Sequence, residues 1–353
     1  MGKRVLLGMS GGVDSSVSAI LLKKKGYEVI GATMKLWTGE TKLDKEKNEK
    51  TINDAKKVCD KLGIKHYVFD AQKEFEQCVI NNFVSQYQNA ETPNPCIECN
   101  KYIKFGYFYN KAKELGCDYI ATGHYARIEY SEKYNQYVLR KSKEEKKDQS
   151  YFLYTIPKER LESIIFPLQD YTSKEEIRKI AKENNLEVAE KKDSQEICFI
   201  PDNCYQNFLE GKMEIKDKVG NIVLKTGEVL GKHQGLTNYT VGQRKGIGVS
   251  YKEPLYVIEL KNDTNELVVG TEQELYSSKL VANDVNWQVE FKEDDIECFA
   301  KIRYRAKEAK AKVLKEDNRV LVEFDKPQRA ITKGQSVVFY DAEGIVLGGG
   351  KIL

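Results

Sequence analysis

The chain has 353 residues, of which 41% are apolar, 31% are charged and only 7 are Pro. At roughly 100–200 residues per domain this means two or three globular domains and excludes a disordered or low-complexity chain. A net charge of +3 excludes a uniformly basic nucleic-acid binder, so any such surface must be a local patch.

No apolar run approaches the ~18 residues needed to cross a bilayer. The run Val5–Met9 meets Ser10 and two glycines at once, which argues against a signal peptide and for a cytoplasmic protein. The eight cysteines are then expected to be reduced, and any that act should be catalytic, redox-active or metal-binding.

Arg4–Met9 reads as a strand and Ser15–Lys25 as a helix. Tyr27–Met34 is a second strand, and the charge-rich stretch Glu40–Lys57 opens a helix. His66–Ala71 is a third strand, Lys111–Leu115 ends a helix before Gly116, and Asp118–Thr122 is a fourth strand. This alternation predicts an α/β fold with a doubly wound parallel sheet, whose ligands sit at the carboxyl ends of the strands. Arg140–Lys147 reads as an exposed loop, followed by helical segments near Lys158–Ile164 and Ser173–Asn184. After Pro201 glycines and turns become frequent. Short strands follow at Leu255–Leu260, Leu267–Val269, Arg319–Phe324 and Gln335–Tyr340. The expected division is 1–205, 206–265 and 266–353, the last two being β-rich. Lys301–Lys315 holds seven Lys or Arg and one Glu, and is either a solvated face or a binding patch.

The strongest motif is Ser10-Gly11-Gly12-Val13-Asp14-Ser15-Ser16, placed between the first strand and the first helix. Its glycines let the backbone approach an anion, the helix N-terminus favours negative charge, and Ser10, Ser15 and Ser16 add hydroxyls. Asp14 suits a phosphate cradle only if a cation such as Mg²⁺ is present. The lysine of a Walker A loop is missing. The motif resembles the PP-loop ATP pyrophosphatases, which implies cleavage of ATP between the α and β phosphates.

The second motif is Thr92–Lys101, in which Pro93 and Pro95 lead into Cys96-Ile97-Glu98-Cys99. A CxxC can be a redox pair, half a metal site or a catalytic thiol with a neighbour. Cys198, in Asp193–Ile200, is the third thiol considered, and by itself reads more readily as a small buried hydrophobe than as an acting thiol. Cys59, Cys78, Cys117, Cys204 and Cys298 have no companion motif and read as structural. Gly123 and His124 lie at the end of the fourth strand, where a ligand would bind. Lys147-Asp148-Gln149 suits a base or sugar, or a solvated turn. Gly231–Gly235 and Tyr239–Gly246 could meet phosphates or form hairpins.

Taken together, these pieces resemble the tRNA-specific 2-thiouridylase family (MnmA/TrmU). The resemblance rests on Gly8–Ser16, Thr92–Phe105, Ala121–Arg127, Lys147–Leu153, Asp193–Ile200, Gly231–Gly248 and Ile302–Arg305, and spans nearly the whole chain. It implies a PP-loop α/β domain, a small central domain and a C-terminal β-barrel. It also implies replacement of O2 of the wobble uridine (position 34) of tRNA by sulfur, with ATP, Mg²⁺ and a cysteine desulfurase or sulfur carrier protein as donor. By resemblance, Cys99 matches the nucleophile and Cys198 the persulfide-bearing cysteine, with a transient disulfide between them. Gly8, Met9, Ser10, Gly11, Gly12, Val13, Asp14, Ser15, Met34 and Gly123 match ATP-contacting positions. Asn94, Pro95 and Cys96 match the segment meeting the target base. His124, Lys147, Asp148, Gln149, Arg303, Tyr304 and Gln335 match tRNA-contacting positions. Many family members carry Asp where this chain has Cys96, so Cys96, Cys99 and Cys198 could instead hold a [4Fe–4S] cluster. A PP-loop synthetase acting on a small acid is the rival reading, and it has no use for thiols at these positions.

Overall fold

The structure is a computed structural model that describes residues 2–37, 39, 42–190, 197–200, 204–212 and 219–353. The N-terminal unit alternates β1 (Arg4–Gly8), α1 (Val13–Lys24), β2 (Glu28–Lys35), α2 (Lys42–Leu62) and β3 (Lys65–Asp70). After β3 the chain stays helical for long stretches. α3 (Gln72–Phe75), a π-helical segment Glu76–Ile80 and α4 (Asn81–Gln88) run on without a break. So do α5 (Pro95–Glu98), a π-helical segment Cys99–Tyr107 and α6 (Phe108–Glu114). Then come β4 (Tyr119–Ala121), a hairpin of β5 (Arg127–Ser131) and β6 (Gln136–Arg140), β7 (Ile164–Ile165) and α7 (Lys174–Glu183).

The main sheet has the order β3-β2-β1-β4-β7, with every neighbouring pair parallel. A parallel sheet covered on both faces needs strands that are apolar throughout, and β1 buries Val5, Leu6 and Leu7 completely. Alternation sends Val5 and Leu7 into the core shared with α1, α2 and α7, and Leu6 into the opposite core with Phe105 and Phe108. The stretch expected to be helical near Lys158 is a 3₁₀ turn, Lys158–Ser163, which feeds β7.

After α8 (Tyr205–Lys212), the central sheet is built from β8 (Gly220–Leu224), β9 (Val229–His233), β10 (Tyr256–Lys261) and β11 (Glu266–Gly270), in the order β10-β11-β8-β9. Its core is separate and includes Ile222, Val257, Leu267 and Val269. The expected division at 265 falls in the turn between β10 and β11. His233 is fully buried, with Nε2 against the Asn265 carbonyl at 3.0 Å, so Gly231–Gly235 is the edge of a hairpin.

The last unit is a closed barrel of β12 (Tyr276–Trp287), β13 (Asp295–Lys301), β14 (Ala309–Glu316), β15 (Arg319–Arg329), β16 (Ser336–Tyr340) and β17 (Val346–Ile352). The basic stretch Lys301–Lys315 runs from the end of β13 through a turn into β14. Lys301 is only 9% exposed and faces Asp148, so it is no part of a surface patch. Among the described residues no helix is long and apolar enough to cross a membrane.

The barrel grips the first unit. The Tyr151 hydroxyl donates to the Ser336 carbonyl at 2.9 Å, and Gln288 Nε2 donates to the Tyr154 carbonyl at 2.7 Å. Thr92 N–H donates to the Lys333 carbonyl at 2.9 Å, and Gln335 Nε2 donates to the Thr92 and Pro93 carbonyls at 3.0 and 3.3 Å. Gly334 fits between them at φ +86°, where a Cβ would lie 2.9 Å from Glu91 Cβ and 3.0 Å from Thr92 N. Gly334→Ala is therefore expected to destabilise the protein by about 1–3 kcal/mol and to speed hydrogen exchange at the Thr92 amide. Unchanged stability and exchange would mean that this clasp carries no load.

Candidate active site

β1 is flanked by β2 on one side and β4 on the other, so the crossovers leaving β1 and β4 part at their carboxyl ends and open a crevice there. The loop Met9–Gly12 and the segment Thr122–Tyr125 line it. Gly11 has φ +63°, and a Cβ on it would lie 2.9 Å from the Thr51 carbonyl oxygen, so the tight turn requires glycine. α1 begins at Gly12 with no side-chain cap. Ser15 Oγ donates to the Gly12 carbonyl at 3.1 Å and accepts from Ser10 N–H at 3.2 Å, which closes the loop on itself. Ser16 is fully buried and donates to the Gly12 carbonyl at 2.8 Å, so its hydroxyl is spent inside rather than offered to a ligand. Val13 and Met9 are also buried, and only their backbone can face the crevice. Met34 follows the buried run of β2, is itself partly buried, and packs between two cores.

A Cβ on Gly123 would lie 3.1 Å from Asp14 Cβ and 3.2 Å from Ser15 N, so the two loops touch backbone to backbone. Asp14 is not left to a metal alone. Lys174 Nζ lies 2.6 and 2.7 Å from its two oxygens, and the Tyr125 hydroxyl donates to Oδ1 at 2.8 Å. Sequence reasoning missed both residues. Tyr125 belongs to a motif that had been singled out, whereas nothing in the sequence ties Lys174 to a loop 160 residues away. Among the described residues no three or more His, Cys, Asp or Glu gather closely enough to hold a metal ion. A Mg²⁺ ion usually takes one or two carboxylates plus substrate phosphates, and Asp14 is the residue that fits that role.

The thiols lie on the next layer. Pro95 opens α5 as its first residue, a position that needs no N–H donor, and sets Cys96 and Cys99 one turn apart on one face. Cys99 begins the π-helical stretch and is 6% exposed, while Cys96 and Cys198 are open to solvent. Cys198 is held by its neighbour Phe199, whose ring meets Phe75 and Phe83 edge-on at 5.7 and 5.4 Å. Surrounding protein raises all three thiols, and Cys198 is pushed up to about 12, first by burial and then by Cys99 and Cys96. Water reaches the Cys198 side chain while protein surrounds it closely, which describes a thiol in a crevice. Lys104 is the cation that draws all three back down. Asp193–Glu196, the start of the Cys198 motif, lie outside the described residues. All eight cysteines are free, and Cys59 and Cys298 are pushed up to about 12 mainly by burial, as inert fillers are.

Lys104 also reaches back toward the crevice. Its Nζ lies 3.3 Å from His124 Nε2, and His124 Nδ1 lies 2.7 Å from Thr122 Oγ1. His124 is 9% exposed between the rings of Phe105 and Phe166. Burial, then Lys104, holds it well below its ordinary pKa, so the ring is neutral at pH 7. A neutral ring accepts from the ammonium at Nε2 and donates to Thr122 from Nδ1.

Several residues expected to meet tRNA are engaged within the protein. Asp148 is buried and accepts from Ser142 N–H, Ser150 N–H and the Ser150 hydroxyl at 2.9, 3.2 and 2.8 Å. Gln149 Oε1 accepts from Tyr125 N–H at 2.9 Å. The Gln335 amide clasps Thr92 and Pro93, as described above, just before the half-buried Asn94 and the buried Pro95. Tyr304 lies on the Phe152 ring with centroids 4.4 Å apart, and Arg303 Nη2 donates to the Arg329 carbonyl at 3.3 Å. Lys147 sits half-exposed at the end of a 3₁₀ turn, and Arg305 is exposed.

Residues 3–202 match a family model described as "tRNA methyl transferase HUP domain". Residues 206–271 match "tRNA methyl transferase PRC-barrel domain", and residues 277–352 match "Aminomethyltransferase beta-barrel domain". The chain is 46% identical over 357 residues to the tRNA-specific 2-thiouridylase MnmA of Clostridioides difficile, covering 100% of this chain and 98% of that protein. It is 49% identical to the MnmA of Clostridium botulinum strain Alaska E43, covering 99% and 98%. The chain belongs to the tRNA-specific 2-thiouridylase family. A solved U34-tRNA thiolase, NcsA from Methanococcus maripaludis with its [4Fe-4S] cluster, matches with 18% identity and a TM-score of 0.37. That match covers 60% of this chain and 65% of that one.

A raised thiol pKa removes thiolate at any given pH, and only part of the loss is recovered as stronger nucleophilicity. At pH 8 Cys198 should therefore react with iodoacetamide about 10–100-fold more slowly than an ordinary cysteine. Its rate should still be rising at pH 10, and Lys104→Met should slow it further. Peptide mapping by mass spectrometry reads this out, and a rate that levels off near pH 8 contradicts the assignment.

Proposed function

We propose that this enzyme replaces O2 of the wobble uridine of tRNA, position 34, with sulfur in an ATP-dependent reaction in the cytoplasm. The observation that carries the reading is that Cys99 and Cys198, 99 residues apart in sequence, share one electrostatic environment beside a nucleotide-type loop. A uridine carbonyl oxygen is a poor leaving group, and attachment of adenylate turns it into AMP, a good one. The loop Gly8–Ser15 with α1 behind it would bind the phosphates, and Met34 and Gly123 lie where the nucleoside would sit.

Uridine O2 attacks the α-phosphate and pyrophosphate leaves. Cys198 carries a persulfide received from a cysteine desulfurase or sulfur carrier. The Cys99 thiolate attacks the inner sulfur of that persulfide, forming a Cys99–Cys198 disulfide and releasing hydrosulfide. Hydrosulfide attacks C2, the C2–O bond breaks and AMP leaves. A dithiol reductant returns the disulfide to two thiols. Both steps at C2 depend on holding the reactants together, which supplies much of the rate. The matched family's description speaks of methyl transfer, but a methyl group needs neither a pyrophosphatase-type loop nor paired thiols. A [4Fe–4S] cluster on Cys96, Cys99 and Cys198, which act on one another electrostatically, is the alternative, and the Cys96 variant separates the two.

The test is formation of 2-thiouridine from unmodified tRNA with ATP, Mg²⁺ and a persulfide donor, handled without oxygen. Cys99→Ser and Cys198→Ser should each lower the product by about 100-fold or more, as loss of a covalent group does. Cys96→Asp should stay active and free of iron. Product from both serine variants at the normal rate would reject the scheme. For tRNA contact, neutralising Arg303 and Arg305 together should reduce the slope of log affinity against log salt by about 0.7–0.9 per lost phosphate contact. An unchanged slope would make this turn a solvated face.

A further inference from the structure

The loop that leads from β9 into β10 is anchored at its start and in its middle and stays open between. Gln243 winds its start, where Oε1 accepts from Thr240 N–H at 3.1 Å and Nε2 donates to the Lys245 carbonyl at 3.0 Å. Gly242 N–H donates to the Val257 carbonyl at 2.8 Å, and Val257 N–H donates to the Gln243 carbonyl at 2.9 Å, which ties the turn to β10. Ile247 is buried in the core of the central sheet and holds the middle. Gly246 and Gly248, on either side of it, have φ of +78° and +82°. Successive N–H groups in turns of this kind form a concave surface that takes anions. Among the described residues no group accepts from the N–H of Gly246, Gly248 or Ser250. These three residues line an open groove of about 480 Å³ together with Arg244 and Lys252. Glu253 is the one carboxylate in its wall, and Lys245 stands exposed next to Arg244 in the chain. Among the described residues neither Arg244 nor Lys245 has a carboxylate partner.

We propose that the loop Arg244–Lys252 grips a backbone phosphate of the tRNA. The proposal rests on the reading of tRNA as the substrate. Unspent N–H groups between two cations suit the oxygens of a phosphodiester, and they bind it whatever base it carries. The groove also adjoins the turn already assigned to tRNA. A Cβ on Gly242 would lie 3.0 Å from Ala330 Cβ and 3.5 Å from Arg329 Nη1, so the loop starts against the barrel. The Arg329 carbonyl in turn accepts from Arg303, the first residue of that turn. The cations therefore continue from the central sheet onto the barrel, as a polymer of regularly spaced charges requires and a single small anion does not. The central sheet thereby holds the tRNA without reading its sequence.

The test measures tRNA affinity of the full chain by filter binding over a series of salt concentrations, for wild type, Arg244→Gln with Lys252→Gln, and Lys261→Gln. Lys261 ends β10, at the far end of the strand from the loop, and its variant controls for lost net charge. The loop variant should bind tRNA about 10-fold or more weakly at low salt, and its salt slope should fall by about 0.7–0.9 per lost contact. Lys261→Gln should leave the slope unchanged. At saturating tRNA the loop variant should form 2-thiouridine within about 2-fold of the wild-type rate, which shows that it is folded and that the loss lies in binding. Hydrogen exchange at the Gly246 and Gly248 amides should slow by about 10-fold or more when tRNA is added to wild type. An unchanged slope with unchanged amide exchange overturns the proposal. So does unchanged tRNA affinity with slower sulfur transfer from the donor protein, which assigns the groove to a protein surface. So does protection of these amides by inorganic phosphate but not by tRNA. Wild type that binds no tRNA overturns the reading of the substrate, and the proposal with it.

Discussion

Gly123 and the first turn of α1 stand so close that a Cβ on Gly123 would lie 3.1 Å from Asp14 Cβ and 3.2 Å from Ser15 N. Most of the site hangs on that contact. It seats the segment after β4 against the loop after β1, so that Tyr125 meets Asp14, and Gln149 in turn is held by Tyr125. One residue away, His124 turns the other way and meets Lys104, the cation that faces the three thiols. The spacing between nucleotide loop and thiol helix is thus set by a backbone contact at the sheet's switch point rather than by the loops' own stiffness. A methyl group at position 123 would require the first turn of α1 to give by a few tenths of an ångström.

The sheet was legible because its strands are short apolar runs separated by helix-length segments, and glycine is the one residue that fits the turn at Gly11. The helices between Gln72 and Glu114 were largely not legible, because their π-helical stretches break the 3.6-residue period on which such readings depend. Charge runs misled in a different way. Lys301–Lys315 reads as one basic block, yet strand alternation in β14 turns Ala311 and Val313 inward while Lys310 and Lys312 face out. At the end of β13 Lys301 itself points into the protein. The motifs located His124, Gln149 and Gln335 but not what they touch, because partners 20, 24 and 243 residues away leave no local signal. Lys174 is the clearest case, since its pairing with Asp14 follows from where α7 packs.

The barrel is an integral part of the site. Its Ser336 receives a hydrogen bond from Tyr151 and meets Tyr154, its Tyr340 meets Ser150, and buried Lys301 faces buried Asp148. Burying such groups is tolerable only if partners from both units are present, so neither surface is complete without the other.

The clasp on Thr92 and Pro93 has a consequence for how the molecule comes into being. Gln335 lies 243 residues beyond Thr92, and the Lys351 ammonium that pairs with Glu91 at 2.6 Å comes later still. On a ribosome, the phosphate loop has its strands and helices long before these residues emerge from the exit tunnel. The stretch that leads into Cys96 and Cys99 therefore acquires its outer hydrogen bonds last. A nascent chain can assemble the glycine loop after β1 early, but the helix that carries Cys96 and Cys99 takes its final seat only when the barrel has closed.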